Sequence, residues 1–381
     1  MIPRFMGNYS HYFLFLLLPL TFSVKFNRGT FLVALFSVCY CLAFALRGGD
    51  DTSLSMWIFY SLYPYILYQI GRYFGKKLIA PESVFTLICI LSMCIGLTAI
   101  VDNIKDYIES GQIINVTRAI SENISRSNII SATGYGMMLA LGLGFGCVFF
   151  ISAATAYDRK IKIIIGIYAL LSLFATVHMV NRTGIVISVV SIIITFFLPP
   201  INIRKVRVII LVTGIILLLF NYYILSSSDY SQIQDAYNAR EIDSYHDSSS
   251  AGGRTDLWLA GLSQMSENFW GASQLYGMPN IYAHNLWIDA GIKGGIPSFF
   301  TLLVITIGII KTITKLFKSK IFSVFERNTL LVLGVVFFLQ SFTEPIIEGI
   351  TQFFWLFLFY WGILNEYLSR QYVDSITYSN K

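Results

Sequence analysis

The chain has 381 residues, of which 55% are hydrophobic and 13% are charged, and its formal net charge at pH 7 is +6. This composition is typical of an integral membrane protein and argues against a soluble globular enzyme. The basic residues stand in short loops between apolar runs and form no continuous tract, so the positive charge gives no support to nucleic-acid binding.

Apolar runs approaching the roughly 20 residues that cross a bilayer as a helix recur along the chain. They predict an all-α polytopic membrane protein with about eleven transmembrane helices, or roughly 10 to 12. The first run lacks a basic segment and a small-residue cleavage site, so we expect a retained helix rather than a secretory signal. The five cysteines lie within predicted spans and show no disulfide or metal-site spacing. The predicted spans lie near residues 11–26, 30–47, 53–71, 83–101, 130–155, 161–180, 182–200, 206–225, 296–317, 328–343 and 347–367.

The distribution of lysine and arginine orients the predicted spans. Most basic residues fall on the cytoplasmic side if the long polar segment at 226–283 is placed outside. The N-terminus is then external and the C-terminus cytoplasmic. The predicted segments are N-terminal transmembrane helices at 1–101, an external segment with a weak helical period at 102–129, central transmembrane helices at 130–225, a large external loop at 226–283, C-terminal transmembrane helices at 284–367 and a cytoplasmic tail at 368–381.

The first two external segments contain polar candidates. Arg47 and Asp50 belong to "ALRGGDDTS", where adjacent carboxylates either bind a metal or activate an acceptor group, or simply mark a solvated turn. Arg118 and Arg126, further along the chain, are candidate phosphate ligands because a guanidinium can hold phosphate through two parallel hydrogen bonds. Each of these residues is a weak indication when taken alone.

Arg182 lies in "ATVHMVNRTGIVIS", where only a few polar residues separate two apolar runs. An arginine near the hydrocarbon is costly unless it is paired or faces water, so it is a functional candidate. The alternative is a loop arginine that reaches the membrane interface. His178 precedes it by four residues and either shares its anion or is a hydrogen-bonded histidine near the membrane surface.

The large external loop contains a helical pattern after its Ser- and Gly-rich stretch. Thr255 is the predicted N-cap, and Leu257, Leu259 and Leu262 form the apolar side of a helix on or near the membrane surface. Arg254 stands at the helix start, where free N–H groups and the helix dipole already favour an anion. A salt bridge to a neighbouring aspartate is the alternative interpretation.

His284 and Asn285 begin a short segment that ends in "GIKGGIP". The glycines permit a sharp bend, and Pro297 suits the first turn of the next membrane helix. A neutral imidazole held there can accept a proton from a hydroxyl group, although an interfacial histidine capping a helix fits the spacing equally well. Glu344, in "FTEPIIEG", stands at another membrane boundary, where it either hydrogen-bonds sugar hydroxyls or marks a solvated turn.

Three motifs occur in a fixed order: "NRTG" at a membrane helix start, "GGRTDLW" in the large external loop, and "AHNLWIDAGIKGGI" before the next span. In order and topology they resemble the bacterial O-antigen polymerase and O-antigen ligase superfamily over roughly residues 110–365. The resemblance implies a multi-pass protein of the bacterial inner membrane. It also implies a helical bundle related to the lipid-linked-sugar (GT-C-like) glycosyltransferases.

The resemblance further implies a metal-independent glycosyltransferase that needs no cofactor. Its donor would be a glycan on undecaprenyl pyrophosphate, presented at the periplasmic face of a lipid membrane. By this likeness Arg182 and Arg254 bind the pyrophosphate and His284 assists the attacking hydroxyl. The biosynthetic pathway implies a flippase and a chain-length regulator as neighbours. Further candidate ligands of the pyrophosphate or the sugar are Arg118, Arg126, Asn285, His178, Glu344, Arg47 and Asp50.

The family contains two activities that differ in the acceptor. A polymerase transfers the growing chain to the sugar of another lipid-linked repeat unit, and a ligase transfers it to lipid A-core. The loop sequence looks more like that of polymerases, so we expect an inverting O-antigen polymerase, with a ligase as the alternative. A lipid-linked oligosaccharide flippase is the competing class, but it is expected to place polar groups near the bilayer midplane, whereas here they gather at one face.

Overall fold

A computed structural model gives the fold of the chain, and its described part is almost entirely helical, as the apolar runs predict. The structure describes residues 16–47, 60, 62–115, 119–121, 129–151, 159–179, 181–198, 254–272, 275–276, 282–344, 346–349 and 351–379. The elements in these ranges are α1 (Leu18–Thr21), α2 (Arg28–Arg47), α3 (Tyr63–Lys77), α4 (Pro81–Ser110), β1 (Ala119–Ser121), β2 (Ile129–Ser131), α5 (Ala132–Ile151), α6 (Arg159–His178), α7 (Arg182–Phe197), α8 (Arg254–Glu267), α9 (Leu286–Lys318), α10 (Val324–Thr343), α11 (Ile346–Gly349) and α12 (Thr351–Ser379).

The chain forms two compact units. The first contains Cys89–Gly253 and Phe322–Leu339, and the second contains Ile2–Ile88, Arg254–Ile321 and Gln340–Lys381. In the first unit α5 packs against α6 and α7, and the antiparallel pair β1 and β2 leads directly into α5. In the second unit α12 packs along α3, α9 packs along α2, and α8 packs on the beginning of α9.

Four helices in the described ranges are long and apolar enough to cross a membrane. They span Arg28–Leu46, Pro81–Ser110, Leu286–Lys318 and Val324–Thr343. Many of their large apolar side chains are exposed, which suits a lipid surround better than water. These helices support the predicted membrane class, and the number of about eleven spans stays a prediction. The predicted span near 206–225 lies outside the described residues.

The structure describes part of the predicted external segment at 102–129. Helix α4 continues through this region as far as Ser110, beyond the predicted end of its span near residue 101. The chain then forms β1 and β2, which pair with Ala119 opposite Ser131. Two short antiparallel strands satisfy each other's backbone N–H and C=O groups. Such a segment can therefore form without the apolar face that a helix would need.

Helices α3 and α12 lie close enough for their backbones to touch. A Cβ added at Gly71 would lie 2.2 Å from the carbonyl oxygen of Phe359, and one at Gly75 would lie 2.4 Å from that of Ile363. Gly362 approaches α3 in the same way from the opposite helix. Small residues four positions apart are a common feature of closely packed membrane helices, because they let the backbones approach.

A buried arginine extends this contact. Arg72, between the two glycines of α3, is 3% exposed and pairs with Glu366 of α12 at 2.7 Å. Its guanidinium also donates to the carbonyl oxygen of Lys25, to the Thr30 hydroxyl and to the side-chain oxygen of Gln69. Because a buried charge is tolerated only when it is paired and hydrogen-bonded, this network ties α3 to α12 and to the start of α2.

We predict that Gly71→Ala destabilises the protein by about 1–3 kcal/mol, because its Cβ would overlap the backbone of Phe359 and force α3 and α12 apart. Thermal unfolding in detergent measures this loss. Gly144→Ala is the matched control, since the nearest atoms there are side-chain methyl groups of Val336 and Val332 at 3.1 and 3.5 Å. Equal losses in the two variants would contradict the close backbone approach.

Candidate active site

Helix α8 carries the first candidate residue. It begins at Arg254, so the helix predicted in this segment is confirmed, whereas the predicted N-cap at Thr255 is wrong because Thr255 lies inside the helix. Leu257 packs toward α9, whereas Leu259 and Leu262 are exposed. Trp258 lies on the packed side, and its indole N–H donates to the carbonyl oxygen of Ala283 at 2.8 Å. The helix therefore holds the chain immediately before the candidate histidine.

Helix α9 begins with a complete N-cap. Asn285 precedes the first helical residue, and its side-chain oxygen accepts the N–H groups of Trp287 and Ile288, both at 3.2 Å. These two N–H groups belong to the first turn, where no helical carbonyl is available to them. Asn285 is 4% exposed, so its position is fixed by the helix start. Its predicted role as a substrate ligand stays a prediction.

Asp289 holds the turn that precedes this helix. One carboxylate oxygen accepts the N–H of Ala283 at 2.7 Å, and the other accepts the N–H of Asn285 at 3.1 Å. The carboxylate is 2% exposed, and hydrogen bonds between a charged acceptor and backbone N–H groups are stronger than those between neutral groups. The two bonded residues lie on either side of His284, so the carboxylate bridges the candidate histidine.

His284 has an unusual backbone conformation. Its φ is +53°, in the left-handed region that residues with a side chain rarely adopt. Such a conformation costs of the order of 1–3 kcal/mol and persists only where surrounding contacts impose it. The hydrogen bonds of Asp289 and Trp258 to the adjacent residues supply those contacts. The imidazole is therefore held by a fixed turn at the start of α9.

The side chain of His284 is 33% exposed and lies next to a buried carboxylate. Its Nδ1 is 4.0 Å from Oε2 of Glu344, which is 3% exposed, and Nδ1 has no hydrogen-bond partner among the residues that the structure describes. Burial and the positive charge of Arg254 lower the pKa of His284 to about 4. The imidazole is therefore neutral at physiological pH, and the contact with Glu344 does not join two charges.

A bend in α9 gives the site its support. Gly295 has φ +74° and interrupts the helix, which confirms the sharp turn predicted for "GIKGGIP". The end of α8 docks at this bend: the N–H of Ile296 donates to Phe269 at 3.0 Å, and Ala272 donates to Ile292 at 2.6 Å. Gly271 also has a positive φ, and a Cβ there would lie 2.7 Å from the Gly295 nitrogen. Contacts near both the start and the end of α8 thus join it to α9 and to the turn before α9.

The first unit contains the other predicted histidine. The Nδ1 of His178 lies 2.8 Å from the carbonyl oxygen of Ile113, and its Nε2 lies 2.9 Å from a carboxylate oxygen of Asp106. Asn115 donates to the same carboxylate at 2.8 Å. His178 is fully buried and uses both ring nitrogens within the protein. This agrees with the hydrogen-bonded alternative, and its predicted contact with substrate stays a prediction.

The "NRTG" motif is a helix start. Asn181 caps α7 by accepting the N–H of Gly184 at 2.6 Å, and Arg182 is the first residue of the helix. Gly184 has little space for a side chain, because a Cβ there would lie 2.8 Å from the methyl group of Thr176. The backbone of Arg182 therefore lies at a helix N-terminus, as the sequence predicts, while its side chain lies outside the described structure.

The structure brings part of the predicted set together. His284, Glu344 and Arg254 form one electrostatic group in the second unit, with Asn285 directly after the histidine. Arg47 is the last residue of α2, and its side chain is not described. Arg118, Arg126 and Asp50 lie outside the described residues. Asp289 is not among the residues predicted from the sequence, although an acidic residue four positions after an N-cap asparagine is a recognisable signal.

A family model matches part of the chain. Residues 167–303 match the family model described as O-antigen ligase, a range that contains "NRTG", Arg254 and His284. The match confirms the resemblance to the O-antigen polymerase and O-antigen ligase superfamily. Its members are glycosyltransferase-like enzymes, and the family implies lipid-linked saccharides in a membrane as substrates. No curated protein matches the chain.

We predict that His284→Gly leaves the protein more stable than His284→Ala by about 1 kcal/mol, because only glycine takes a left-handed backbone without steric cost. Denaturant unfolding of the two purified variants in detergent gives the difference directly, since both lack the imidazole. Ala283→Gly is the control: the φ of Ala283 is not positive, so glycine is expected to lower stability there. Equal stability of the two His284 variants would contradict the left-handed turn.

Proposed function

We propose that this protein is an O-antigen polymerase, or a polymerase of a related surface polysaccharide. In this proposal it transfers a glycan from undecaprenyl pyrophosphate to a sugar hydroxyl of another lipid-linked repeat unit at the periplasmic face of the inner membrane. The observation that carries the proposal is the neutral imidazole of His284, fixed in a strained turn beside Glu344 and within the electrostatic influence of Arg254. Strained residues that are held by several contacts are characteristic of functional sites.

The proposed reaction is a single displacement. The acceptor hydroxyl oxygen forms a bond to the anomeric carbon, and the bond from that carbon to the pyrophosphate oxygen breaks. The electron pair leaves with undecaprenyl pyrophosphate, and the hydroxyl proton passes to His284. Attack from the face opposite the leaving group inverts the anomeric configuration. A positioned base contributes typically about 10²- to 10⁴-fold to such a step.

Arg254 is the proposed ligand of the leaving group. It begins a 14-residue helix, so its guanidinium and the free N–H groups of the first turn attract the same anion. The departing pyrophosphate gains negative charge, and a cation already in place stabilises that charge without reorganisation. In this role the anion that pairs with Arg254 is the pyrophosphate of the donor, so no carboxylate of the protein is needed to neutralise its charge.

Donor binding also changes the basicity of His284 in this proposal. The positive charge of Arg254 lowers the pKa of the imidazole in the free protein. A pyrophosphate bound to Arg254 offsets that charge, so the imidazole becomes a stronger base when the donor is present. The acceptor hydroxyl is then deprotonated mainly in the complex that also holds the donor, which limits unproductive proton transfer.

Glu344 is proposed to orient the imidazole. The 4.0 Å between its Oε2 and Nδ1 of His284 exceeds a hydrogen bond, and shortening it by about 1 Å would let the Nδ1–H donate to the carboxylate. Catalytic hydrogen bonds are often long in the unliganded state and shorten in the substrate complex. That contact would leave Nε2 as the proton acceptor. The same proposal includes a hydrogen bond that a sugar hydroxyl donates to the carboxylate of Glu344.

The other sequence candidates remain proposals. Arg182 is expected to contact the pyrophosphate from the N-terminus of α7, a position that also favours anions. The relation to the GT-C-like bundles and the pathway neighbours, a flippase and a chain-length regulator, rest on the resemblance alone. Six further residues are proposed as ligands of the pyrophosphate or the sugar, namely Arg118, Arg126, Asn285, His178, Arg47 and Asp50.

An O-antigen ligase is the second candidate. The matching family model is described as O-antigen ligase, and the family covers both ligases and polymerases, so a lipid A-core acceptor is the alternative to a lipid-linked repeat unit. The contacts of His284 and Arg254 concern the hydroxyl proton and the donor pyrophosphate, so they fit both acceptors equally. A transporter makes no covalent product and gives no reason for a strained, neutral histidine beside an arginine. The acceptor must therefore be determined with defined substrates.

The proposed activity is tested with purified protein in nanodiscs. We predict that undecaprenyl-pyrophosphate-linked repeat units alone give a ladder of longer glycans, and that His284→Ala lowers the rate by about 10²- to 10⁴-fold. Arg254→Ala is expected to lower it by about 10²-fold or more, because the developing charge on the leaving group loses its cation. Chain length is resolved on a gel.

The controls separate the candidate activities. Glu267→Gln removes an exposed charge at the opposite end of α8 and is expected to keep the wild-type rate. Transfer that appears only after lipid A-core is added identifies a ligase. Full activity of His284→Ala, at wild-type abundance, contradicts the proposed base. A product that retains the donor's anomeric configuration contradicts the single displacement.

The pH dependence provides a separate prediction. The imidazole is neutral above its pKa of about 4, so kcat/KM is expected to lose the contribution of His284 only as the pH falls toward that value. Burial is the larger cause of the low pKa and the charge of Arg254 the smaller, so Arg254→Gln, which removes only that charge, is expected to move the acid limb part of the way toward the ordinary value of 6.5. Arg254→Lys keeps the charge and leaves the limb in place, although its rate falls because lysine lacks the planar fork.

Rate measurements across the acid range, limited to pH values at which each variant stays folded, decide this point. Wild-type kcat is expected to show its acid limb at higher pH than kcat/KM, because the bound donor offsets the charge of Arg254. Limbs at the same pH in Arg254→Gln and Arg254→Lys would show that the charge of Arg254 does not act on the base.

A further inference from the structure

We propose that Asp289 is a positioning residue for His284: its carboxylate holds the turn at 283–285 in the conformation that aims the imidazole. This inference rests on the proposed role of His284 as the base. The two oxygens of Asp289 accept one N–H group on each side of His284, at 2.7 and 3.1 Å. The residue is 2% exposed, so neither bond competes with bulk water.

Capping of α9 does not account for both hydrogen bonds. Asn285 already satisfies the N–H groups of Trp287 and Ile288 in the first turn. The N–H of Asn285 at the cap is a usual target for an acidic side chain in that turn. The N–H of Ala283 lies two residues before the cap and is not one of the free N–H groups of the helix. The bond from Ala283 to Asp289 therefore serves the turn.

The backbone of His284 shows what the turn requires. A φ of +53° places a residue with a side chain at an energetic disadvantage, so the turn would relax if nothing held its two ends. A carboxylate supplies two acceptors with a fixed separation, which matches two N–H groups that flank one residue. An asparagine at 289 supplies one acceptor and one donor, so it can hold only one of the two.

Release of the turn would move the imidazole away from its surroundings. Glu344 stays within 4.0 Å of Nδ1, and the charge of Arg254 lowers the pKa of the imidazole, only while the ring of His284 stays in place. A misplacement of about 1 Å can lower a rate by about 10²-fold. Asp289→Asn is therefore expected to lower kcat by about 10- to 100-fold. KM is expected to stay within about twofold, because the donor is bound by Arg254 on another helix.

Rescue by free imidazole tests this role. His284→Gly removes the base and leaves space for imidazole added to the buffer, which is expected to restore part of the rate. A diffusible base does not depend on the turn, so adding Asp289→Asn to His284→Gly is expected to leave the rescued rate unchanged. If Asp289→Asn lowers the rescued rate by the same factor as the wild-type rate, Asp289 acts on folding or substrate binding, and the proposal is overturned.

Thermal unfolding of the same four proteins gives an independent result. Loss of the clamp lets His284 leave its left-handed conformation and recover that strain, whereas glycine has none to recover. Asp289→Asn is therefore expected to lower Tm more in the His284→Gly protein than in the wild type. Equal falls in Tm would show that the turn does not need Asp289, and the proposal is overturned whether or not imidazole rescues the rate.

The failure of this inference is distinguishable from the failure of the proposed function. Full activity of His284→Gly without imidazole would show that His284 is not the base, and it would overturn both the proposed mechanism and the positioning role of Asp289. Loss of activity in His284→Gly, with a wild-type kcat in Asp289→Asn, keeps the base and removes only the positioning role. Glu267→Gln, assayed in parallel, shows what the loss of one acidic charge elsewhere in the same unit does to the rate.

Discussion

The candidate site depends on one constraint, a carboxylate that holds a backbone turn in a conformation its residues do not favour. Asp289 accepts the N–H groups on both sides of His284, whose φ lies in the left-handed region. Because Asn285 caps the helix that carries Asp289, this constraint is anchored at a rigid helix start. The entropic cost of fixing the histidine in position is met once, when the protein folds, and does not recur at each turnover.

Close helix packing places the arginine relative to that turn. Helix α8 packs on the first half of α9, where Gly261 leaves no room for a side chain against Ile288, and Trp258 bonds to the residue before His284. The end of α8 is then bound to the bend at Gly295. With its helix held at several points, Arg254 stays near enough to His284 to lower the pKa of the imidazole.

The chemistry that follows from this geometry is electrostatic. In the proposed mechanism Arg254, at a helix N-terminus, binds an anion, and the neutral imidazole of His284 accepts a proton. The two proposed roles reinforce each other, because an anion paired with Arg254 would also raise the basicity of His284. The first unit uses a related local device, since Asn181 caps α7 and so fixes the backbone of Arg182 at a helix start. In both units an asparagine cap sets the position of the adjacent candidate residue.

The sequence by itself determined the membrane class, the helix beginning near Arg254 and the bend at "GIKGGIP", because apolar periodicity and glycines act through neighbours along the chain. It also singled out His284, by motif and by its place before a membrane helix. Only the tertiary structure decided that Glu344 lies beside that histidine, that Asp289 holds its turn, and that its pKa is lowered. The contact with Glu344 joins residues distant in sequence, and the lowered pKa depends first on burial, so neither can be read from local pattern. Asp289 lies only a few residues from the N–H groups that it binds, but the left-handed backbone of His284, which brings both groups to one carboxylate, is seen only in the structure.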